Sequence, residues 1–562
     1  MDTTLGDVPQ TAAGGGPGLT SSTDLGLAHS PVKVDILEVE LMHYKQVDSN
    51  TAQSILYGFK HGFSLNYTGP HVQTDARNLL SARQNPNIVR EKISKEIAAG
   101  RVAGPFSYPP FRTLRISPLG LVPKKARNDH RLIHHLSYPT GQSVNDYIDP
   151  ELCTVQYSSF DEAVQMIQKL GPGCLVGKAD IKGAFRILPV SPVDFDQLGF
   201  KFENKFYYDK AMPFGCSISC ATFERFGKFL SFVVRRRTAV GDLVRYLDDF
   251  LFGGKKGTDH CQMIMLEFQK SMDHLGVPVA DEKTEGPKTV IVFLGLEIDS
   301  VDLIVKIPMV KVKELIQKIQ DVLNKEKVTL RVMQSLIGSL NFACRVIVPG
   351  RPFCRRLVNS ICGLSKPHHH LRINHGIRQD LHMWLTFFEQ FNGISVFHDR
   401  FWVTNEDMEL FTDSAAGVGL GFGIYFGGKW AYAPWPEEWH DKGFTRDITV
   451  LELFPLLVSL YIWGSHLQNK KILFRCDNMA VVAIVNTMTS KSEEVMVLLR
   501  DFTLKCMQLN IMVKASHVEG VKNVLTDSLS RLQIGKFREL APEAEPMPAE
   551  IPLQLWNIFT NV

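Results

Sequence analysis

Hydrophobic positions change their spacing several times along the chain, and each change marks a predicted element. From Arg90 to Val102 apolar residues recur at helical intervals, with Gly100 or Gly104 to end the run. Past Pro109-Pro110, short strand-like runs such as Gly120-Leu121-Val122 alternate with turns and helices as far as about Asp299. Cys174 to Asp180 reads as a strand that ends on a carboxylate. In Leu243 to Gly254 (LVRYLDDFLFGG) two apolar runs flank Asp248-Asp249, which predicts a hairpin with two acids at its tip. Helical spacing then covers Val310 to Asn324 and Leu330 to Ala343, the second stopped by Pro349-Gly350, and Gln379 to Phe391, stopped by Asn392-Gly393. A separate α/β pattern begins at Met408 with two short glycine-rich strands. A helix near Thr449, a strand at Ile472, further helices and a last strand complete it.

At 562 residues the chain is too long for one core, so an α+β protein of several domains is expected. Residues 1–30 are rich in Gly, Thr, Ser and Pro without an apolar period, and read as disordered. The order of patterns divides the rest at 31–110, 111–300, 301–402 and 403–535, with a Pro- and Glu-rich tail over 536–562. No internal repeat is found. No apolar run approaches membrane-spanning length and no signal peptide opens the chain, so the expectation is an intracellular protein, cytoplasmic or nuclear, with no membrane partner. Ten cysteines are scattered; Cys216 and Cys220 come nearest to a pair, and nothing completes a zinc set, which favours free thiols. A net charge of +3 says little by itself. From Lys306 to Lys366, however, twelve Lys and Arg face three Asp and Glu. A solvated helix face is one account of such a run; a surface that tracks phosphates fits the imbalance better.

Asp180 and the pair Asp248-Asp249 carry the first candidate chemistry. Acids between hydrophobic strands must be solvated, paired or metal-bound, because burying them alone costs several kcal/mol. Side by side they form a hard-oxygen site suited to Mg²⁺, two ions per site, with Mn²⁺ as an alternative. Taken singly, Asp180 could be a helix N-cap and Asp248-Asp249 a plain turn. Because neighbouring strand residues point to opposite faces, Asp180 and Asp248 are read as the direct ligands and Asp249 as a supporting charge. A second set consists of Asp413 at the end of ELFTD, Glu452 on an apolar helix, Asp477 at a strand end and Asp527 on a helical stretch. Each alone suits a cap or an ion pair. The four together suit another two-Mg²⁺ centre, one that activates water against a phosphodiester.

These residues resemble reverse transcriptases. Tyr246-Leu247-Asp248-Asp249 matches their YxDD box, and Ala179-Asp180 through Phe185 matches their first metal motif. Leu121 to Lys125 with Arg131-Leu132-Ile133 resembles the fingers segment that holds the incoming triphosphate. Met212-Pro213-Phe214-Gly215 resembles the loop that frames the nucleotide, and Phe293 to Leu296 the primer grip. The resemblance implies a substrate site made by Lys124, Lys125, Arg131, Phe185, Phe214, Gly215 and Tyr246. Phe185 would be the steric gate against a ribose 2′-hydroxyl, a reading its position five after Asp180 favours over a plain core phenylalanine, and Lys125 and Arg131 could instead be surface charges. The order Asp413, Glu452, Asp477, Asp527 resembles ribonuclease H, with His517 in the place of that family's mobile histidine. Phrases such as GFKHGFSLNYTGP (Gly58 to Pro70), RLIHHLSYPTGQSVND (Arg131 to Asp146) and PGRPFCRRL resemble the DIRS-like retrotransposons. Phe214 stands where many reverse transcriptases have Gln, and His135 where an acid often follows the fingers arginine.

The fold this implies is a right-hand polymerase followed by a ribonuclease H-like domain. Residues 31–110 would lead into the fingers, 111–300 form fingers and palm, 301–402 thumb and connection, and 403–535 the nuclease. The implied activity copies RNA into DNA and hydrolyses the RNA of RNA–DNA hybrids, with an RNA template, a DNA primer and dNTPs as partners. No recombinase pattern follows residue 532, so a separate tyrosine recombinase of the same element is an expected partner. The alternatives are an RNA-dependent RNA polymerase, an inactive nucleic-acid-binding relic, and a chain in which only the nuclease works.

Overall fold

The computed structural model describes residues 26–124, 129–157, 159–392, 395–396, 402–468, 470–476, 478–517 and 524–559. The chain forms two compact units, Met1–Leu294 and Gly295–Val562.

The first unit is built on a four-stranded antiparallel sheet. In spatial order its strands are Asp242–Tyr246, Asp249–Gly254, Leu175–Asp180 and Glu285–Lys288. In the inner strand Asp249–Gly254, every residue after the aspartate is buried. Apolar residues on both faces suit a strand covered on both sides. Helices Phe160–Leu170 and His260–Leu275 pack against this sheet. Helix Ser219–Arg237 adds Phe223, Phe226, Phe229 and Leu230, all fully buried. The N-terminal helices Val34–Tyr44 and Ser49–His61 join the same core through Leu37, Leu41, Ile55 and Phe59. Asp48 caps the second of these, its side chain accepting from the Thr51 N–H at 2.9 Å. A second layer holds the hairpin Leu119–Pro123/His130–His134 and the sheet of Val102–Phe106, Lys205–Asp209 and Gly199–Phe202.

Sequence spacing placed elements better than their ends. The helix expected over Arg90 to Val102 spans Pro86–Ala98, because Pro86 supplies a favourable first-turn residue and Val102 opens a strand. Residues 1–25 of the segment read as disordered lie outside the described residues, whereas 26–30 are pinned. His29 N–H donates to Gly100 O at 3.2 Å and Ser30 Oγ to Ile187 O at 2.7 Å.

In the second unit, helices Met309–Leu323, Leu330–Ala343 and His375–Gln390 pack together, and Asp380 bridges Arg356 and Arg500. The later part of the unit contains two three-stranded sheets. Leu410–Ser414, Gly421–Phe426 and Lys429–Pro434 are antiparallel, while Val403–Thr404, Lys471–Cys476 and Met512–His517 are parallel. A turn through Glu409, with φ +52°, separates Val403–Thr404 from Leu410–Ser414, so each pairs with a different sheet. The segments expected to divide at residue 402 therefore share one compact unit.

Two readings of this unit are corrected. Helix Ile448–Leu467 has 20 residues and a mean hydropathy of 1.6, long and apolar enough to cross a membrane, although no run was expected to be. Its Val450, Leu453, Phe454, Leu457 and Leu460 instead fill the core between the sheet and helix Glu493–Gln508. Residues 536–559 are not a free tail either. Phe537, Ala541, Ala544, Leu555 and Phe559 are buried, and Trp430 Nε1 donates to Glu545 O at 2.7 Å.

Candidate active sites

Antiparallel register brings Asp180 opposite Asp249 at the ends of Leu175–Asp180 and Asp249–Gly254. Directly opposed residues on paired strands share a face, so the two carboxylates meet. Tyr246 also pairs with Asp249, which leaves Leu247-Asp248 as a two-residue turn with Leu247 at φ +53°. Asp248 therefore belongs to a turn rather than a strand. The rule that neighbours face opposite ways does not apply to it, and Asp249 is the acid in contact with Asp180.

The turn is braced from two directions. Ile181 N–H donates to Asp248 O at 3.0 Å, and Arg245 Nη1 donates to Leu247 O at 3.0 Å. Arg245 is itself held by Glu224 of helix Ser219–Arg237 at 2.7 and 2.9 Å, both side chains being buried. The Tyr246 ring lies 5.0 Å from that of Tyr157.

The acids are electrically strained. Burial first, then the charges of Asp248 and Asp180, push the Asp249 carboxyl up to about 7. Burial and the nearby Asp180 raise Asp248 as well. Lys283 answers part of this charge, its Nζ lying 2.9 Å from Asp180 Oδ2. Burial works against that ammonium, but its contact with Asp180 holds its pKa above the ordinary lysine value. Among the described residues, no group of three His, Cys, Asp or Glu side chains already converges to hold a metal ion. Asp248 and Asp249, raised by burial and by the neighbouring acids, nevertheless form with Asp180 a carboxylate set that a divalent cation would relieve. Sequence reading missed Lys283, because 103 positions separate it from its partner.

Beside these acids stands an aromatic group. Phe185 is half-buried, 5.4 Å from Phe214 and 6.1 Å from the fully buried Phe223. The Arg131 guanidinium lies 4.8 Å from the Phe214 ring centroid, and its charge reaches Asp248. Gly215 adopts φ +117°, and a Cβ there would stand 2.1 Å from His134 O. Lys124 pairs with Asp129 at 2.8 Å, a carboxylate that also binds Lys92 and lies well below its ordinary pKa through those two lysines. Lys125 and Asp477 lie outside the described residues.

The second set gathers in part. Asp413 sits in the strand Leu410–Ser414, and its Oδ2 accepts from Ser530 Oγ at 2.5 Å. Ser530 ends the helix Val524–Ser530 that carries Asp527. Ser414 Oγ donates to Leu451 O at 2.7 Å, bringing the strand end beside the residue before Glu452. Asp527 pairs with Arg531 at 2.7 Å. His517 is exposed at the end of its strand, in register with Cys476, the residue before Asp477. The arrangement thus joins Asp413 to the helix of Asp527 through a serine that sequence reading did not single out.

Residues 122–298 match the family model for reverse transcriptase (RNA-dependent DNA polymerase). Over 164 residues the chain is 29% identical to Protein P of duck hepatitis B virus, covering 29% of this chain and 20% of that protein. Over 187 residues it is 21% identical to the Transposon Tf2-7 polyprotein of Schizosaccharomyces pombe, covering 33% of this chain and 13% of that protein. The chain therefore spans a fifth or less of these relatives' length. Among solved structures, it is similar to the foamy viral protease-reverse transcriptase in complex with RNA/DNA hybrid. That match has a TM-score of 0.47 and 14% identity, over 89% of this chain and 65% of the other.

Proposed function

We propose that this chain, whose residues 122–298 form a reverse transcriptase family domain, is the RNA-directed DNA polymerase of a retroelement and that its second acid set cuts the RNA strand of RNA–DNA hybrids. The observation that carries the reading is the in-register pair Asp180 and Asp249 with Asp248 in the adjoining turn, all three inside that domain.

Asp180, Asp248 and Asp249 would hold two Mg²⁺ ions, with Mn²⁺ as a substitute. When bound, Mg²⁺ supplies the charge that favours attack of a primer 3′-hydroxyl on the α-phosphate of a dNTP and departure of pyrophosphate. The protein's own side chains do the rest by position. Arg131 offers a cation beside Asp248 to the triphosphate, and Lys124 does so only by leaving Asp129. The Phe185 ring closes the space that a ribose 2′-hydroxyl would need. Lys283 neutralises Asp180 until a cation takes over that task.

In the second unit Asp413, Glu452, Asp477 and Asp527 would hold the ions of a ribonuclease H site, with His517 beside them. The basic stretch from Lys306 to Lys366 suits the backbone of template, primer and hybrid, an interaction that weakens steeply with salt. The phrases from Gly58 to Pro70 and Arg131 to Asp146 support a DIRS-like element, for which a separate tyrosine recombinase would supply integration and the nucleus or cytoplasm the setting.

Two variants separate the activities. Asp248→Asn should abolish dNTP extension on an RNA template while hybrid cleavage continues, and Asp413→Asn should do the reverse. Loss of both activities in each variant, or of neither, would overturn the assignment of two independent sites. Extension with rNTPs in place of dNTPs would point to an RNA polymerase instead.

A further inference from the structure

Phe214 occupies an unusual place in this arrangement. One face of its ring receives the Arg131 guanidinium at 4.8 Å, and the Phe185 ring lies 5.4 Å away. Among the described residues, the other ring beside Phe185 is the buried Phe223 at 6.1 Å. The backbone that carries the two rings is tied together. Arg186, next to Phe185, donates from Nη1 to Ala211 O at 2.9 Å and Met212 O at 3.3 Å, while Met212 N–H donates to Leu188 O at 2.9 Å. Arg186 is buried and further fixed by Asp209 and Glu96. His134 N–H donates to Phe214 O at 3.2 Å. With both backbones held, the freedom that remains to Phe185 is rotation of its side chain, and the Phe214 ring is the partly exposed wall that limits it.

We propose that Phe214 is a positioning residue for sugar discrimination: it acts through Phe185 by fixing the angle of that ring, not by touching the nucleotide. The inference rests on the reading of Phe185 as the steric gate. Aromatic pairs prefer particular offsets, and a phenylalanine packed between two others has its ring plane set by both. A glutamine at this position could hydrogen-bond Arg131 but would give Phe185 no ring to lie against. Arg131, over the Phe214 ring, supplies charge and no wall.

The three residues therefore separate by readout. Phe214→Leu or Phe214→Met should lower the preference for dNTP over rNTP by about three- to tenfold, the scale of one lost aromatic contact. Most of the change should come from improved use of rNTP relative to dNTP. Phe214→Tyr keeps the ring and should keep the preference. Arg131→Ala should raise KM for dNTP and rNTP together and leave their ratio unchanged. Phe185→Val, which opens the gate directly, should lose more preference than Phe214→Leu or Phe214→Met.

The experiment is single-nucleotide extension of a DNA primer on an RNA template, comparing kcat and KM for a dNTP and the matching rNTP. Melting curves of each variant check that it folds, and the paired Leu and Met variants guard against one that does not. A wild-type ratio in Phe214→Leu and Phe214→Met, alongside a collapsed ratio in Phe185→Val, would overturn the positioning role and leave the gate intact. An unchanged ratio in Phe185→Val would overturn the gate itself, and the role of Phe214 with it.

Discussion

Replacing Asp249 with Asn should stabilise the metal-free protein at pH 8, and by about half as much at pH 5.5. In the folded chain the Asp249 carboxyl titrates at about 7, against an ordinary value of 3.8. A raised pKa means that the unfolded chain releases this proton first. The stability that the protonated form retains is full below about 4 and is lost as pH rises through about 7. The difference sets a ceiling of roughly 4 kcal/mol at about 1.4 kcal/mol per pKa unit. Solvent reaches part of the carboxyl, and Lys283 offsets some of the repulsion, so about 1–2 kcal/mol is the realistic size. For a unit of this length that is a rise in Tm of about 1.5–3 °C. Thermal melting in EDTA at the two pH values reads it. At pH 5.5 the folded Asp249 keeps its proton while the unfolded carboxyl has lost it, so the two melting curves should differ by about half as much as at pH 8, and converge only below about pH 4. Excess Mg²⁺ at pH 8 should favour the wild type instead. A variant that melts lower than wild type at pH 8, or that gains equally at both pH values, would refute the reasoning.

Three further outcomes follow from packing. Gly215→Ala sets a Cβ against His134 O in a backbone with φ +117°, and should destabilise the first unit by at least about 2 kcal/mol in urea melts while sharply lowering dNTP extension. Arg245→Met leaves the buried Glu224 unpaired beneath the acidic turn and should cost about 3–5 kcal/mol, most of it recovered in the Arg245→Met/Glu224→Leu double variant, as a double-mutant cycle in urea would measure. Ending the chain after residue 535 removes Phe537, Leu555 and Phe559 from the second unit's core; at about 1.5–3 kcal/mol per side chain, that unit should melt early and become protease-sensitive, while a solvated tail would change neither.

What the sequence disclosed follows from how local each feature is. The strand ending on Asp180 and the hairpin carrying Asp248-Asp249 were legible because apolar runs stop abruptly at acids, a pattern written into a few adjacent residues. Leu330–Ala343 was legible end to end because its helical spacing and the following Pro349-Gly350 break agree, and the structure adds Thr329 as its cap. The pairing of Asp180 with Asp249 was not, since register between distant strands is decided by packing and not by either strand alone. The Lys283 contact was hidden for the same reason, as was the capture of Lys124 by Asp129 across a hairpin. The segment after residue 535 misled by composition. Its prolines and glutamates suggested a solvated tail, while a few apolar anchors at irregular intervals hold it in the core. The helix Ile448–Leu467 was underestimated because Glu452 interrupts its apolar sequence near one end only.

The central claim is that Asp180, Asp248 and Asp249 form a metal-dependent centre for copying RNA into DNA. Single-turnover incorporation of one dNTP into a DNA primer annealed to RNA, with and without Mg²⁺, tests it most directly when Asp180→Asn is run beside the wild type. The account predicts incorporation only by the wild type and only with the metal, while both proteins still bind the primer–template. Equal incorporation by Asp180→Asn, or none by a wild type that binds primer–template, Mg²⁺ and dNTP, would contradict it.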